Sequence, residues 1–401
     1  MPTQDVSVFD RFLKGPLEPI AEKVAAGRRL SFEDGVTLFN SPDLLGVGLL
    51  ANFVREKRHG NIAYYNVNRY LNPTNLCWVD CGLCAWARKP GVDGGYTMSI
   101  KEAVSEAATG WHDGITELHI VGGLHPSLPY SYYGDLLRAL KTRFPGVHLK
   151  AWTMVEIDWF ARVGKKDAVE VIRDLKEAGL DSCPGGGAEI FAPRVRDIIC
   201  TDKISGDRFL ELSRLCHENG VRTNITMLYG HVETVEERVD HLVRTRNLQD
   251  ETGGFLGFIP LAFHPDETQL KHLPPATGVT DLRVIAVSRL LLDNIDHVKA
   301  YWIQIGEKLA PIALHFGADD LVGTVTEETI THAAGARTES GLSREQMERM
   351  ILGAGREPFE RDANYDRVVR DAKGRVLEAN GFNFAALSAA ETVASSASVS
   401  V

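Results

Sequence analysis

The chain has 401 residues, with 44 Lys and Arg against 54 Asp and Glu, a formal charge of −10, and 44% apolar residues. At roughly 150 residues per domain this allows two or three domains or one large barrel with appendages. A chain this long with ordinary apolar content buries a sizeable core, which excludes a mostly disordered polymer. The acidic balance, without any run of Lys and Arg, argues against nucleic acid as a partner. No apolar stretch reaches the roughly 18–20 residues that cross a bilayer, and residues 1–12 lack the basic-then-apolar order of a signal peptide. No membrane partner and a cytoplasmic location are the expectation.

Residues 1–60 are expected to form an N-terminal helical extension. Leu17, Ile20, Ala21 and Val24, then Leu44, Val47, Leu50 and Val54, recur at helical spacing. Ser31 before Glu33-Asp34, and Ser41-Pro42-Asp43, read as helix starts, with Pro42 suited to the first turn. From residue 61 the pattern changes to short β-rich runs at 62–68, 117–121, 148–153, 180–183, 222–228, 256–261, 298–303 and 319–323, separated by amphipathic helices. Eight such alternations over residues 61–325 predict an α/β fold, a (β/α)8 TIM-type barrel, with an open doubly wound sheet as the rival. Residues 326–370 are expected as a C-terminal helical extension, with helices at 326–334 and 343–354. Residues 371–401, closing in SAAETVASSASVSV, are expected as a low-complexity, disordered tail.

Six cysteines are too few for a disulfide scaffold. Three of them, Cys77, Cys81 and Cys84, form C-x3-C-x2-C just after the turn-rich Asn72-Pro73-Thr74-Asn75 and the first strand. In a barrel that loop opens on the face where active sites form. Three thiolates on a short loop can hold three irons of a [4Fe–4S] cluster and leave the fourth iron open for chemistry. A structural zinc site is the rival, but it needs a fourth ligand, and His112 and His119 are too far along for a compact finger. Chance clustering of buried cysteines is the plain alternative. After the second strand, Gly122-Gly123 lets the backbone approach a ligand, with free N–H and C=O groups suited to a zwitterion. After the fourth, Pro184-Gly185-Gly186-Gly187 leads into Glu189, an acid that alternatively only offsets a helix dipole.

The cysteine spacing on this loop resembles the radical S-adenosylmethionine superfamily. The resemblance implies that the open iron binds the amino and carboxylate groups of S-adenosylmethionine. It also implies that one electron, from a donor such as flavodoxin or ferredoxin, releases a 5′-deoxyadenosyl radical. Under it Gly122 and Gly123 meet the methionyl amino group, and Glu189 meets the ribose hydroxyls or the methionyl group. Thr226–Glu233, TMLYGHVE, is similar to the superfamily pattern G-x-I-x-G-x-x-E, which assigns Leu228 and Gly230 to the adenine and Glu233 to the strand-to-helix turn. The aromatic residue usual just before the third cysteine is Leu83 here, and Trp86 is the candidate for its role.

A narrower resemblance, to the aminodeoxyfutalosine synthase family of the futalosine route to menaquinone, rests on Asn66-Val67-Asn68-Arg69, NPTN, GGLHP, PGGGAEI, TMLYGHVET, QDETGGF, LHFGADDLVGT and HAAGA at 332–336. It implies addition of the 5′-deoxyadenosyl radical to 3-[(1-carboxyvinyl)oxy]benzoate, an aryl enol-ether dicarboxylate, giving aminodeoxyfutalosine, methionine and CO2. Two carboxylates on the substrate call for local cations or donors. His125, His264 and Arg69 are the candidates, with a salt bridge at the barrel rim as the alternative for Arg69. Members of the family usually carry His where this chain has Tyr70. Two other readings stay open: a dehypoxanthine futalosine cyclase or deazaflavin (FO) synthase relative that abstracts hydrogen instead, and an iron–sulfur protein that only carries electrons.

Overall fold

The computed structural model describes residues 15–109 and 114–384. The readings made of residues 1–12, His112 and the Ser/Ala/Val-rich close of the tail lie outside them. The first strand run resolves into two halves, β1 (Ile62–Asn66) and β2 (Asn68–Leu71). There follow β3 (Glu117–Ile120), β4 (His148–Ala151), β5 (Ser182–Cys183), β6 (Arg222–Tyr229), β7 (Phe255–Ala262) and β8 (Asp320–Gly323). β2 to β7 lie in sequence order and pair in parallel throughout. β8 returns to pair in parallel with β1 through Tyr64↔Asp320.

Residues 298–300 close the ring. Val298 bridges Phe258 of β7 and Lys299 bridges Asp320 of β8. The Lys299 N–H donates to the Phe258 carbonyl at 2.9 Å and the Ala300 N–H to the Asp320 carbonyl at 2.8 Å. The eight strand positions therefore form the barrel that the alternation predicts, and not an open sheet. Helices cover it outside, so β4 and β8 are buried at every position. Five of the helices open on a Ser, Thr or Asp whose side chain accepts from the third helical N–H while an acid there reaches back, at Ser31, Ser99, Thr153, Asp167 and Thr234.

Several local expectations need correction. Helix Leu44–His59 is capped by Asp43, whose Oδ1 accepts from the Gly46 N–H at 2.8 Å, so Pro42 precedes the helix instead of filling its first turn. The run at 298–303 gives only the two bridges before turning into helix Trp302–Ile305. Residues 326–370 are not a purely helical extension. Beyond helices Ile330–Ala333 and Arg344–Gly353 the chain forms β9 (Glu357–Glu360), which pairs in parallel with β1 from Ile62↔Glu357 to Tyr65↔Glu360. The start of the expected tail is also ordered, as an antiparallel meander of β10 (Val369–Arg370), β11 (Val376–Ala379) and β12 (Phe382–Asn383). β9 was illegible because Glu-Pro-Phe-Glu shows no alternation and carries Pro358. Proline is tolerated on an edge strand that donates to one side only.

Candidate active site

The barrel encloses a cavity of about 340 Å³ whose lining runs from the strand ends and their loops down to the inward faces of the strands. Period-two alternation decides which side chains reach it. On β2, Asn68 and Tyr70 line the cavity, whereas Arg69 faces the covering helix. Tyr70 stacks on His119 of β3, their centroids 4.5 Å apart.

The cysteine loop follows β2 directly. Its turn residues tie it down: Asn72 Nδ2 donates to the Val121 carbonyl at 2.8 Å, Thr74 Oγ1 to Tyr96 at 2.8 Å and Asn75 Nδ2 to Gly94 at 2.9 Å. Cys77, Cys81 and Cys84 all line the cavity as free thiols. The Leu124 N–H points at Cys77 Sγ and the Ala87 N–H at Cys84 Sγ, each at 3.4 Å. Burial pushes the Cys77 thiol up, and the Cys81 thiol to about 12, so a thiolate here needs a strong cation beside it. The three sulfurs are not all within 4.8 Å of one another, too spread to chelate one ion. A cluster gives each cysteine its own iron, so the donor set fits a [4Fe–4S] cluster better than zinc. Among the described residues, His59, His297 and Asp319 do bring three ligand atoms within 4.8 Å, before the first residues of their strands at the opposite end of the barrel. There Arg289 and His297 already pair with Asp319, so the group is a buried ion network.

Gly123 is required by close approach. A Cβ there would stand 2.2 Å from the Leu76 carbonyl oxygen, one residue before Cys77. The N–H groups of Gly122 and Gly123, expected to be free, are already used. Gly122 donates to Glu156 Oε1 at 2.8 Å and Gly123 to the Thr74 carbonyl at 2.8 Å, so neither N–H is free for a ligand. Glu156 was not found from sequence. It also accepts from Thr153 N–H and Oγ1, at 2.7 and 2.8 Å, and burial nevertheless pushes its carboxyl up to about 7.

Glu189 lines the cavity with a left-handed backbone, φ 47°, and receives a hydrogen bond from Lys203 Nζ at 2.6 Å. Against burial, Lys203 holds the Glu189 carboxyl below its usual range. Leu228, Trp86 and Leu83 line the cavity too. Gly230 does not, which corrects its assignment to a ligand: its N–H donates to Glu233 Oε1 at 2.6 Å, and Ala276 packs where a side chain would project. Glu233 organises this turn, accepting from the Gly230 and His231 N–H groups and pairing with Arg238.

Two of the three expected carboxylate binders are misplaced. Arg69 is buried outside the cavity, with Nη2 on the Glu106 carbonyl at 3.0 Å and Glu327 Oε2 at 3.0 Å, the rim salt bridge. His125 turns its Nδ1 back to accept from the Ser127 and Leu128 N–H groups at 3.1 and 2.9 Å, and its ring does not line the cavity. His264 does line it, donating Nε2–H to the Gln304 carbonyl at 3.1 Å, and burial holds its pKa down. The cations that reach the cavity are instead Lys150, Lys203, Lys299 and Arg361. A lysine at an inward position of a buried parallel strand was the readable signal for Lys150 and Lys299. Arg361 had none, because it arrives from outside the barrel, directly after β9.

The radical SAM superfamily model matches residues 71–244, and that of the CofH/MqnC C-terminal region matches 252–373. The aminodeoxyfutalosine synthase of Thermus thermophilus is 50% identical over 88% of this chain and 96% of its own length. That of Streptomyces coelicolor is 44% identical over 91% and 96%. Among solved structures, the FeFe-hydrogenase maturase HydG from Carboxydothermus hydrogenoformans superposes with a TM-score of 0.70 at 17% identity, covering 90% of this chain and 83% of that one, which supports the fold alone.

Proposed function

We propose, for a chain that belongs to the radical SAM superfamily and within it to the aminodeoxyfutalosine synthase family, that it joins the 5′-deoxyadenosyl group of S-adenosylmethionine to 3-[(1-carboxyvinyl)oxy]benzoate, yielding aminodeoxyfutalosine, methionine and CO2. The chain is an enzyme of this kind, and the reading of substrate and products rests on its likeness to two synthases at 50% and 44% identity. Among the described residues no helix is long and apolar enough to cross a membrane.

Cys77, Cys81 and Cys84 would hold the [4Fe–4S] cluster, which supplies the electron that splits S-adenosylmethionine; a flavodoxin or ferredoxin is the proposed source of that electron. The observation that carries the reading is the open three-thiol loop at the wall of the barrel cavity. The chain's own part is positional. The Leu124 and Ala87 N–H groups orient two of the sulfurs and withdraw charge from them. Gly123 lets the second strand-end loop press against the cysteine loop, fixing cluster and cofactor sites relative to each other. Glu156 and Glu189 stand beside this junction as the carboxylates able to meet the amino and hydroxyl groups of the cofactor. The barrel walls exclude solvent and hold two reactants in near-attack geometry, which a primary carbon radical needs more than acid or base help.

The test is the fate of the adenosyl carbon. Incubating reduced enzyme with S-adenosylmethionine and the enol ether should consume both in equal amounts and give an adenosylated product with little free 5′-deoxyadenosine. Stoichiometric 5′-deoxyadenosine without that product would overturn the synthase reading in favour of hydrogen abstraction.

A further inference from the structure

Inward positions near the base of a closed barrel are ordinarily filled by branched apolar side chains. Here the cavity floor is polar and charged, lined by Glu117, Lys150, Asn224, Lys299 and Arg361, with Asp320 paired to Arg361 behind it. The pairing among them is uneven. Lys150 Nζ lies 2.5 Å from Glu117 Oε2, and Arg361 Nε donates to Asp320 Oδ2 at 2.7 Å. Among carboxylates Lys299 Nζ reaches that same Asp320 oxygen, at 3.5 Å, where it competes with Arg361 and with the Tyr365 hydroxyl at 2.7 Å, and it stands 5.3 Å from the centroid of the Tyr365 ring. Three cations therefore face two carboxylates, with Lys299 and Asp320 exposed at 2% and 0%.

A surplus buried charge is costly unless something compensates it. Burial and the adjacent Arg361 hold the Lys299 ammonium down to about 7, with Lys150 opposing it further and Asp320 and Glu117 supporting it. A bound carboxylate would reverse that. Asn224, 4% exposed, also lines the cavity and carries a buried side-chain oxygen without a partner, and its amide can present either end. Above this floor the walls suit an aromatic ring: the stacked Tyr70–His119 pair on one side, Ile259 and Leu261 of β7 on another. Above the walls come the acids Glu156 and Glu189 and the three sulfurs.

We propose that Lys299, with Lys150 and Asn224 beside it, forms an anion subsite at the barrel floor that receives the aryl carboxylate of the substrate. The inference rests on the synthase reading for the identity of that substrate. Its consequence is orientation. Anchored by the carboxylate on its ring, the substrate directs its enol-ether carbon toward the cysteine loop, where the adenosyl carbon is released. The ligand class is an aromatic carboxylate whose reactive group lies across the ring from the floor.

Binding can be read apart from turnover. Cluster-loaded enzyme without reductant is titrated calorimetrically with the enol-ether dicarboxylate, with benzoate, and with benzamide as the neutral isostere. Wild type should bind benzoate over benzamide. Lys299→Met should weaken the dicarboxylate at least tenfold and erase the benzoate preference, while Lys299→Arg should keep it, iron content being equal in all three. Unchanged dicarboxylate affinity in Lys299→Met, while wild type still forms the adenosylated product, would overturn the subsite and leave the synthase reading standing. If wild type binds benzoate in a Lys299-dependent way but neither binds nor converts the enol ether, the subsite holds and the synthase reading falls. Should Lys299→Met fail to fold, the wild-type benzoate-to-benzamide ratio decides: a ratio near one overturns the proposal.

Discussion

Cys77, Cys81 and Cys84 share a loop but not an environment, since the first two are buried and the third is half-buried. Each sulfur serves a different iron in the proposed site, so no one can replace another. Changing any of them to Ala is expected to abolish the brown absorbance and most iron and sulfide after anaerobic reconstitution. Cys183, Cys200 and Cys216 are buried away from the loop or behind it, and Ser at each should leave iron content unchanged. Retention of full iron and sulfide in the triple Ala variant would remove the assignment. The cysteines were legible because their spacing is itself the chemistry. Glu156, Lys203 and Arg361 were not, because their roles come from elements far apart in the chain meeting at one cavity. Arg69 and His125 show the converse. A polar residue beside a motif was read as a ligand, but strand alternation turns Arg69 outward and the turn after Gly123 uses His125 to satisfy its own N–H groups.

At the scale of elements, the strand-end turns set the geometry, and their glycines and acids have separable effects. Gly123→Ala puts a methyl carbon 2.2 Å from the Leu76 carbonyl oxygen, a backbone clash that no rotamer relieves. The variant should fold around a displaced cysteine loop, with cluster content falling several-fold while far-ultraviolet dichroism stays native; full occupancy would show that the loops can slide. Glu233 acts through charge. Burial opposes its ionisation, but His231, Arg238 and the turn N–H groups win and hold its carboxyl at about 2. Because the folded value lies below the unfolded one of roughly 4.5, its contribution, on the order of 3 kcal/mol, is present above that value and lost as pH falls toward 2. Glu233→Gln should therefore melt lower at neutral pH and approach wild type near pH 3. Equal melting differences at both pH values would rule the ionised form out as the cause. The strands that sequence revealed, β1 through β8, stand out through their alternation with amphipathic helices, which marks even the two-residue β5. The pieces it missed are short or one-sided. β9 pairs on one edge around Pro358, and β12 has two residues, so neither builds the period that a pattern needs.

Taken whole, a chain of net charge −10 keeps a cationic floor inside its barrel, and that floor is finished by a segment outside the eight strands. β9 lies against β1 at the base, Arg361 enters directly after it, and Tyr365 follows to donate to Asp320 at 2.7 Å. The meander that comes next is fastened to the barrel by Asn380 Nδ2, which donates to the Thr116 and Gly146 carbonyls at 2.8 and 3.1 Å, and by Phe382, which lies over Gly146. Three truncations separate these contributions. A chain ending at Phe384 should melt with the full chain, because the Ser/Ala/Val-rich residues beyond it offer little apolar surface to bury. One ending at Asn380 loses Phe382, about 1–2 kcal/mol of buried apolar area, and should melt a few degrees lower with its cluster intact. One ending at Arg356 strips Asp320 of both Arg361 and Tyr365 and leaves a buried carboxylate with Lys299 as its cation and the Val322 N–H as its remaining donor. Breaking a buried pair this way costs about 3–5 kcal/mol, and the open edge of β1 adds to it. That chain should be poorly soluble or melt far lower, and any folded fraction should have lost its affinity for aromatic carboxylates. Calorimetric melting and benzoate titration of the three chains decide the matter: if the shortest one melted with the longest and still bound benzoate, the C-terminal segment would be an ornament on the barrel and not its floor.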